Sequence, residues 1–246
     1  MTDELAEKLK YLRLGGLLSR WDDYLKWGAD KRVSHGALLT HFVEEEYRMK
    51  KENARKLLLR CARIEEMRVI ETFPFEKQPK LNKKRVMALY DTGSYLAQAQ
   101  NILWLGGTGV GKTGLATSFL VHAINQGHSG RFVRFPALVE ELYRSVADHT
   151  QEKVLKNYAN VGVLLIDELG YCEVEPAQAG YFFTLMQQRH KRKPTLITSN
   201  LGFGEWKSFL KNDHLTAALI DRLTETSHVF NMKECRTIRE KLKQEE

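Results

Sequence analysis

The sequence predicts an α/β protein whose doubly wound, five-stranded parallel sheet is preceded by a small all-α region. Short apolar or β-branched runs alternate with longer helical stretches through the second part of the chain, which is the pattern of strands joined by crossover helices. A glycine-rich stretch also separates the first of these runs from the first of these helices. Both observations favour strands that all run in one direction, with helices on both faces of the sheet.

Five runs provide the strands, and the segments between them provide the helices. Residues 163–166 are four apolar residues in a row, as expected of a strand that is buried on both faces. The predicted strands lie at residues 102–105, 131–135, 163–166, 195–199 and 228–231. The predicted helices lie near residues 114–121, 136–147, 152–158, 176–190 and 217–223.

The N-terminal part of the chain is predicted to be helical. Leucine and tryptophan recur at three-to-five-residue spacing on both sides of a break at Gly15 and Gly16. A second helix is expected to begin after Ser34, a good N-cap, and to continue to about Arg60. Residues 71–85 then form the linker into the sheet.

The stretch from Gly106 to Thr113 reads Gly-Gly-Thr-Gly-Val-Gly-Lys-Thr. Between a strand and a helix, this is a phosphate-binding loop, in which backbone N–H groups cradle the β- and γ-phosphates. We expect Lys112 to reach the terminal phosphates and the Thr113 hydroxyl to ligate Mg2+. The predicted nucleotide-binding residues are Gly106, Gly107, Thr108, Gly109, Val110, Gly111, Lys112, Thr113 and Gly114.

Two carboxylates, Asp167 and Glu168, directly follow the apolar run and lie about 55 residues after Lys112. Open α/β sheets bind ligands at the carboxyl ends of their strands. We therefore expect Asp167 to hold Mg2+ through its water shell, and Glu168 to orient and deprotonate the attacking water. A nucleotide kinase or small GTPase does not usually need the adjacent glutamate, so the pair favours hydrolysis of ATP.

Two further residues are candidates for sensing or stabilising the γ-phosphate. Asn200 ends the strand after the acidic pair, and we predict a phosphate-sensing role for it, with Thr198 as the second choice. Arg222 lies on an apolar helix near the last strand. Its guanidinium is expected to enter the active site of a neighbouring subunit, and an intramolecular salt bridge is the alternative.

Positive charge is concentrated near the N-terminus. Residues 1–85 contain 20 Lys and Arg against 14 Asp and Glu, whereas residues 86–246 contain 18 against 17. This asymmetry favours an N-terminal module that contacts a polyanion such as duplex DNA, and a solvated basic helix face is the alternative. The side chains that could follow a duplex backbone are Arg48, Lys50, Lys51, Arg55, Lys56, Arg60 and Arg63.

Several features indicate a soluble cytoplasmic protein with no membrane partner. No apolar run approaches the roughly 20 residues that a spanning helix needs, and the charged N-terminus is not a signal peptide. Cys61, Cys172 and Cys235 are isolated thiols without metal-ligand spacing, which suits a reducing compartment.

The order of the four motifs resembles that of AAA+ ATPases in the initiator and helicase-loader branch. The chain is most similar to IstB-type ATPases, the transposition helpers encoded beside the transposase in bacterial insertion sequences. The resemblance covers most of the chain and is weakest over the first 35 residues. The segments that carry it beyond the common motifs are Thr72–Phe75, Asp167–Tyr171, Thr198–Asn200, Phe203–Trp206 and Asp221–Leu223.

The resemblance implies ATP and Mg2+ as cofactors and an ATPase domain over residues 77–246, after an N-terminal DNA- or partner-binding domain over residues 1–76. A Ser-Tyr-Arg triplet is common near the C-terminus of the family, and here Cys235-Arg236-Thr237 keeps only the arginine. Only 15 residues follow the last predicted strand, so no C-terminal helical lid is expected. The implied roles are nucleotide and metal binding for Lys112, Thr113, Asp167 and Glu168, sensing for Asn200, and a trans-acting arginine finger for Arg222.

These features together predict an ATP-dependent, DNA-binding transposition helper. ATP is expected to join subunits head to tail into a ring or a helical array on duplex DNA. The assembly would bend the DNA and recruit the cognate transposase, with hydrolysis resetting the complex. Two alternatives remain open at this point: a helicase loader of the DnaC type, and a scaffold that binds ATP but scarcely hydrolyses it.

Overall fold

The computed structural model describes residues 1–31 and 33–238. The chain forms two compact units, Met1–Leu57 and a second unit that begins at Leu58. Within the described ranges, no helix combines the length and apolar composition needed to cross a membrane.

The first unit is helical, as predicted. It contains α1 (Asp3–Tyr11), α2 (Gly15–Lys31) and most of α3 (His35–Cys61). The Ser34 hydroxyl accepts a hydrogen bond from the Ala37 amide at 3.2 Å, which confirms Ser34 as the N-cap of α3.

Glu46 of α3 explains the glycine at Gly16, the second residue of α2. Its buried carboxylate accepts hydrogen bonds from the backbone amides of Gly16 and Leu17, at 2.8 and 3.1 Å. A Cβ atom on Gly16 would lie 2.7 Å from the Glu46 carboxylate oxygen. Glycine therefore allows a negative charge to reach the amides at the start of α2, where the helix dipole favours it.

The second unit contains the predicted parallel sheet. Its strands are β1 (Asn101–Leu105), β2 (Gly130–Arg134), β3 (Val163–Leu169), β4 (Thr195–Ser199) and β5 (Ser227–Asn231). They follow the order β2-β3-β4-β1-β5, and every neighbouring pair is parallel. The fold prediction is thus confirmed, and β4 lies between the strand before the glycine loop and the strand that carries the acidic pair.

Helices cover both faces of this sheet. The helices of the second unit are α4 (Lys83–Thr92), α5 (Ser94–Ala97), α6 (Lys112–Asn125), α7 (Phe135–Ala147), α8 (Gln151–Asn160), α9 (Pro176–Arg189), α10 (Trp206–Leu210) and α11 (Asp213–Glu225). Single 3₁₀ turns occur at Ile70–Thr72, Phe75–Lys77 and Phe203–Glu205.

Helix α4 corrects the prediction that the linker continues to residue 85. The Asn82 side chain accepts a hydrogen bond from the Arg85 amide at 3.0 Å and so begins a helix within the basic segment. Gly93 ends it in the left-handed conformation. Sequence reasoning missed α4 because Lys83 and Lys84 oppose the helix dipole at an N-terminus, and it also missed α5 and the short α10.

The hydrophobic core consists of two clusters because successive strand residues point to opposite faces. Ile102 and Trp104 of β1 pack with Phe119 of α6 in one cluster. Leu103 of β1 and Ile166 of β3 belong to the other cluster, which also includes residues of α7, α9 and α11. Both faces of the sheet are therefore buried, as the continuous apolar strands predicted.

The described segment after β5, residues 232–238, contains no helix, in agreement with the predicted lack of a helical lid in this part of the chain. This segment instead passes the glycine loop. The Met232 amide donates to the Leu105 carbonyl at 2.6 Å, and the Ile238 amide donates to the Gly109 carbonyl at 2.9 Å.

Gly106 is expected to be essential for this close approach. A Cβ atom there would lie 2.6 Å from the backbone carbonyl carbon of Met232, whereas a Cβ on Gly107 would have no neighbour within 4 Å. Gly106→Ala should therefore lower the free energy of unfolding by about 1–3 kcal/mol. Gly107→Ala should change it by less than about 0.5 kcal/mol. Equilibrium urea unfolding of both variants tests this, and equal stability of the two would contradict it.

Candidate functional site

The carboxyl ends of β1, β4 and β3 meet at one edge of the sheet, where they border a cavity of about 580 Å³. Six residues of the glycine stretch line this cavity, together with the acidic pair and the polar end of β4. These lining residues are Thr108, Gly109, Gly111, Lys112, Thr113, Gly114, Asp167, Glu168, Thr198 and Asn200. The structure thus brings three of the four motifs, those at the ends of β1, β3 and β4, into one site, and the fourth, which contains Arg222, lies outside it.

The glycine loop has the backbone conformation that its sequence requires. Gly109 and Gly111 adopt φ angles of 78° and 99°, which L side chains rarely adopt. A Cβ on Gly111 would also lie 2.5 Å from the ring of Phe73. Helix α6 begins immediately afterwards at Lys112, so its N-terminal amides point toward the cavity.

The Lys112 ammonium is buried at the base of the loop and contacts three oxygen atoms. Its Nζ donates to the carbonyls of Gly106 and Gly107 at 2.8 and 2.7 Å, and to Asn200 Oδ1 at 2.5 Å. The Asn200 amide nitrogen in turn donates to the Thr108 hydroxyl at 3.4 Å. Asn200 therefore joins the tip of β4 to both the lysine and the loop.

Asp167 is the centre of a second set of hydrogen bonds. Its Oδ1 accepts from the Thr113 hydroxyl at 2.9 Å and from the Thr198 hydroxyl at 2.5 Å, and the residue is only 3% exposed. The Thr198 hydroxyl also accepts from the Glu168 amide at 3.0 Å. One buried threonine thus fixes both members of the acidic pair.

Glu168 has a strained backbone. Its φ angle is 61°, in the left-handed region that non-glycine residues seldom occupy, and the register of β3 against β4 shifts between Ile166 and Leu169. Such bulges redirect side chains next to active sites. Glu168 lines the cavity as its neighbour Asp167 does, so these two successive residues do not follow the strand alternation.

The residues present fit a nucleoside triphosphate with a divalent cation. Thr113 Oγ1 and Asp167 Oδ1 converge at 2.9 Å, and oxygen atoms of this kind are the ligands that Mg2+ prefers. Part of the cavity lining is apolar, which suits a nucleobase. The apolar side chains in the lining include Val69, Phe73, Pro74 and Ile238.

Gln78 and Arg134 contribute to the site, although no sequence pattern identified them. The buried Gln78 amide donates to the carbonyls of Val110 and Arg236, at 3.0 and 2.5 Å, and accepts from the Arg236 amide at 3.1 Å. Gln78 does not line the cavity, but these bonds hold the loop in place at Val110. Val110, one of the predicted nucleotide-binding residues, is buried and does not line the cavity either.

Arg134 ends β2 beside Asp167 and also lines the cavity. A hydrogen bond to the Glu65 carboxylate raises the pKa of the Arg134 guanidinium, and the charges of Glu168 and Asp167 act in the same direction. The site therefore contains a further cation besides Lys112, and the carboxylates of Glu65, Asp167 and Glu168 all stabilise its charge.

Arg222 and Arg236 lie outside the cavity. The Arg222 guanidinium stacks on the Phe183 ring, with its carbon 4.7 Å from the ring centroid, and Nη1 donates to the Ala218 carbonyl at 3.3 Å. In the described residues no carboxylate lies within 4.0 Å of Arg222, so the intramolecular salt bridge considered as an alternative is not present there. The exposed Arg236 is connected to the loop through its backbone, which bonds Gln78, and Gln78 in turn bonds Val110.

The sheet order, the glycine loop at β1, the acidic end of β3 and the polar tip of β4 together define a P-loop protein of the AAA+ class. The family model of the IstB-like ATP binding proteins matches residues 7–245, so the chain belongs to this family.

Two relatives resemble the chain over nearly their whole length. One is an ATP-binding protein described for insertion sequence IS5376 of Geobacillus stearothermophilus, which is 33% identical over 100% of this chain and 98% of the relative. The other, described for insertion sequence IS232 of Bacillus thuringiensis subsp. berliner, is 28% identical over 93% of this chain and 91% of the relative.

Solved structures resemble about two thirds of this chain in fold. The crystal structure of DnaI has a TM-score of 0.53 and 23% identity, and the match covers 61% of this chain and 85% of DnaI. AMPPCP-bound DnaA from Aquifex aeolicus has a TM-score of 0.54 and 17% identity, with 67% of this chain and 49% of DnaA covered. At these identities the likeness concerns the fold alone.

Thr198 provides a direct test of the acidic centre. Thr198→Val keeps the size of the side chain but leaves the Glu168 amide and Asp167 Oδ1 without the hydroxyl that bonds both. We expect the free energy of unfolding to fall by about 1–3 kcal/mol. Thr198→Ser keeps the hydroxyl and should lose less than half as much. Urea unfolding monitored by circular dichroism measures both variants, and equal losses would show that the hydroxyl has no such role.

Proposed function

We propose that this chain is an ATP-dependent transposition helper that binds and hydrolyses ATP with Mg2+, assembles on duplex DNA and recruits the transposase of its insertion sequence. The observation that carries the proposal is the convergence of Lys112, Asn200, Thr113, Asp167 and Glu168 around one cavity. The names of the relatives from insertion sequences support the biological setting.

The residues that converge on the cavity have distinct roles in this proposal. The loop amides and Lys112 bind the phosphates, while the apolar part of the lining that includes Phe73 and Ile238 receives the adenine. Thr113 and Asp167 would hold Mg2+, which neutralises phosphate charge when bound. Glu168 accepts the proton of the attacking water, and its place in the lining of the cavity, at the bulge of β3, supports this role. Asn200, which already bonds Lys112, reports on the terminal phosphate.

We further propose that Arg222 completes the site of a neighbouring subunit. It lies outside its own cavity, and within the described part of the chain no carboxylate neutralises it. A guanidinium that approaches the γ-phosphate from another subunit would stabilise the transferring phosphoryl group. The contact is heterologous, so it generates a ring or an open helical array.

The distribution of positive charge along the chain suggests where DNA binds. Met1–Leu57 contains 12 Lys and Arg against 10 Asp and Glu, whereas residues 58–85 contain 8 against 4. Within α3, Arg48 pairs with Glu45 at 2.7 Å, and Lys56 lies 3.9 Å from Glu52. We therefore propose that duplex DNA contacts the predicted N-terminal domain, residues 1–76, and also the basic start of α4.

The ATPase proposal predicts separable effects of two substitutions. Lys112→Ala should weaken ATP binding about 10- to 100-fold, because a charge-assisted contact to phosphate is lost. Glu168→Gln should lower kcat at least about 100-fold while the Kd for ATP changes less than about threefold, because only proton transfer is impaired.

Isothermal titration with ATP and a phosphate-release assay measure these effects, both with Mg2+ present. Glu173→Gln is the matched control, since Glu173 is an exposed carboxylate paired with Lys211 at 2.7 Å. If Glu168→Gln retained full turnover, Glu168 would not be the general base. If the wild-type chain bound ATP but released no phosphate above background, the chain would instead be a scaffold that binds ATP without hydrolysing it.

The DNA proposal predicts a change in the salt dependence of duplex binding. We consider two double substitutions, Lys83→Gln with Lys84→Gln and Lys50→Gln with Lys51→Gln. Each should make the slope of the logarithm of the DNA-binding constant against the logarithm of the salt concentration less steep by about 1 to 2, because each lost phosphate contact removes counterion release. Lys8→Gln with Lys10→Gln is the charge-matched control, because Glu4 and Glu7 already pair with those lysines at 2.6 and 2.7 Å.

Fluorescence anisotropy with a labelled duplex at two or more salt concentrations, with ATP present, measures these slopes. Comparison of the two lysine pairs shows which segment contacts DNA. Failure of the wild-type chain to bind duplex under any of these conditions would instead favour the helicase-loader alternative.

A further inference from the structure

We propose that Phe183 is a positioning residue that holds the Arg222 guanidinium ready to enter the neighbouring subunit's site. This inference rests on the proposed trans role of Arg222 and names the side chain that makes that role efficient. Phe183 lies on α9, and Arg222 lies two helices later on α11, so their contact joins two helices that pack on the same face of the sheet.

The contacts of Arg222 are unusual for a half-buried arginine. A guanidinium carries five N–H donors, but the described residues provide Arg222 with one hydrogen bond of 3.3 Å, to a backbone carbonyl in its own helix. No carboxylate of the described chain lies within 4.0 Å of it. Most of its donors therefore remain available for an anion supplied from outside.

The Phe183 ring fixes the orientation of the Arg222 guanidinium, as a carboxylate partner would otherwise do. The guanidinium carbon lies 4.7 Å from the ring centroid, within the range of a cation–π contact. This contact leaves the N–H edges free, because a ring face attracts the cation without accepting its in-plane hydrogen bonds. A salt bridge would orient the side chain equally well but would occupy the donors that the phosphate needs.

The burial of Phe183 supports this role. The ring is half-buried and packs against the apolar cluster beneath α9 and α11, so its own position is fixed by the core. A rigid platform reduces the rotamer freedom that Arg222 must lose when it reaches the phosphate. The expected consequence is an effect on turnover, with no effect on ATP affinity, because neither residue lines the cavity of its own subunit.

Phe183→Leu and Phe183→Tyr separate the ring from its apolar bulk. Leucine preserves most of the buried volume but removes the aromatic face, and we expect kcat to fall about three- to tenfold with an unchanged Kd for ATP. Tyrosine keeps the face and should retain at least half of the wild-type kcat. Tyr181→Leu is the matched control, because it removes a half-buried aromatic ring of the same helix over which no described cation lies.

Mixed assemblies test whether Phe183 acts through Arg222 on the neighbouring site. Glu168→Gln subunits keep a working arginine but lack hydrolysis, and Arg222→Ala subunits keep hydrolysis but lack the arginine. Mixing the two should restore part of the ATPase activity. Adding Phe183→Leu to the Glu168→Gln subunit should lower that restored activity three- to tenfold, whereas adding it to the Arg222→Ala subunit should leave the activity unchanged.

The outcomes distinguish the two proposals. Equal losses from Phe183→Leu in either subunit, or a loss equal to that from Tyr181→Leu, would overturn the positioning role and leave the trans arginine intact. If the mixture of Glu168→Gln and Arg222→Ala subunits showed no restored activity, the trans role would be wrong and the positioning role with it. In both cases the ATPase proposal for the cavity itself is decided separately, by Lys112→Ala and Glu168→Gln.

Discussion

The position of β4 between β1 and β3 is the constraint on which the site depends. Because its two neighbours carry the glycine loop and the acidic pair, the end of β4 borders both of them. Thr198 reaches Asp167 on one side, and Asn200 reaches Lys112 on the other. The sheet order thus converts motifs that are far apart along the chain into one continuous group of hydrogen bonds.

The sequence predicted the five strands and the main contacts of the cavity because those features are encoded locally. A glycine loop needs particular backbone angles at Gly109 and Gly111, and an apolar run followed by two carboxylates indicates the end of a buried strand. The parallel arrangement then brings such strand ends together without further information. Thr198 was only the second choice beside Asn200, because the sequence does not reveal that its hydroxyl bonds both Asp167 and Glu168.

The features that sequence reasoning missed depend on contacts between distant residues or on competing local signals. Gln78 and Arg236 are separated by 158 positions, and no periodicity or motif connects them. Helix α4 begins with three basic residues that oppose its dipole, so composition indicated a linker there. Charge counting alone likewise located the positive excess in residues 1–85, whereas much of it belongs to residues 58–85 of the second compact unit.

The Gln78 side chain links the position of the glycine loop to the position of the segment after β5. Its amide bonds the Val110 carbonyl in the loop and both backbone polar groups of Arg236. A buried amide that loses its partners costs about 1–3 kcal/mol. When the loop shifts at Val110, Arg236 must follow or these bonds must break. The position of residues 232–238 therefore depends on that of the phosphate-binding loop.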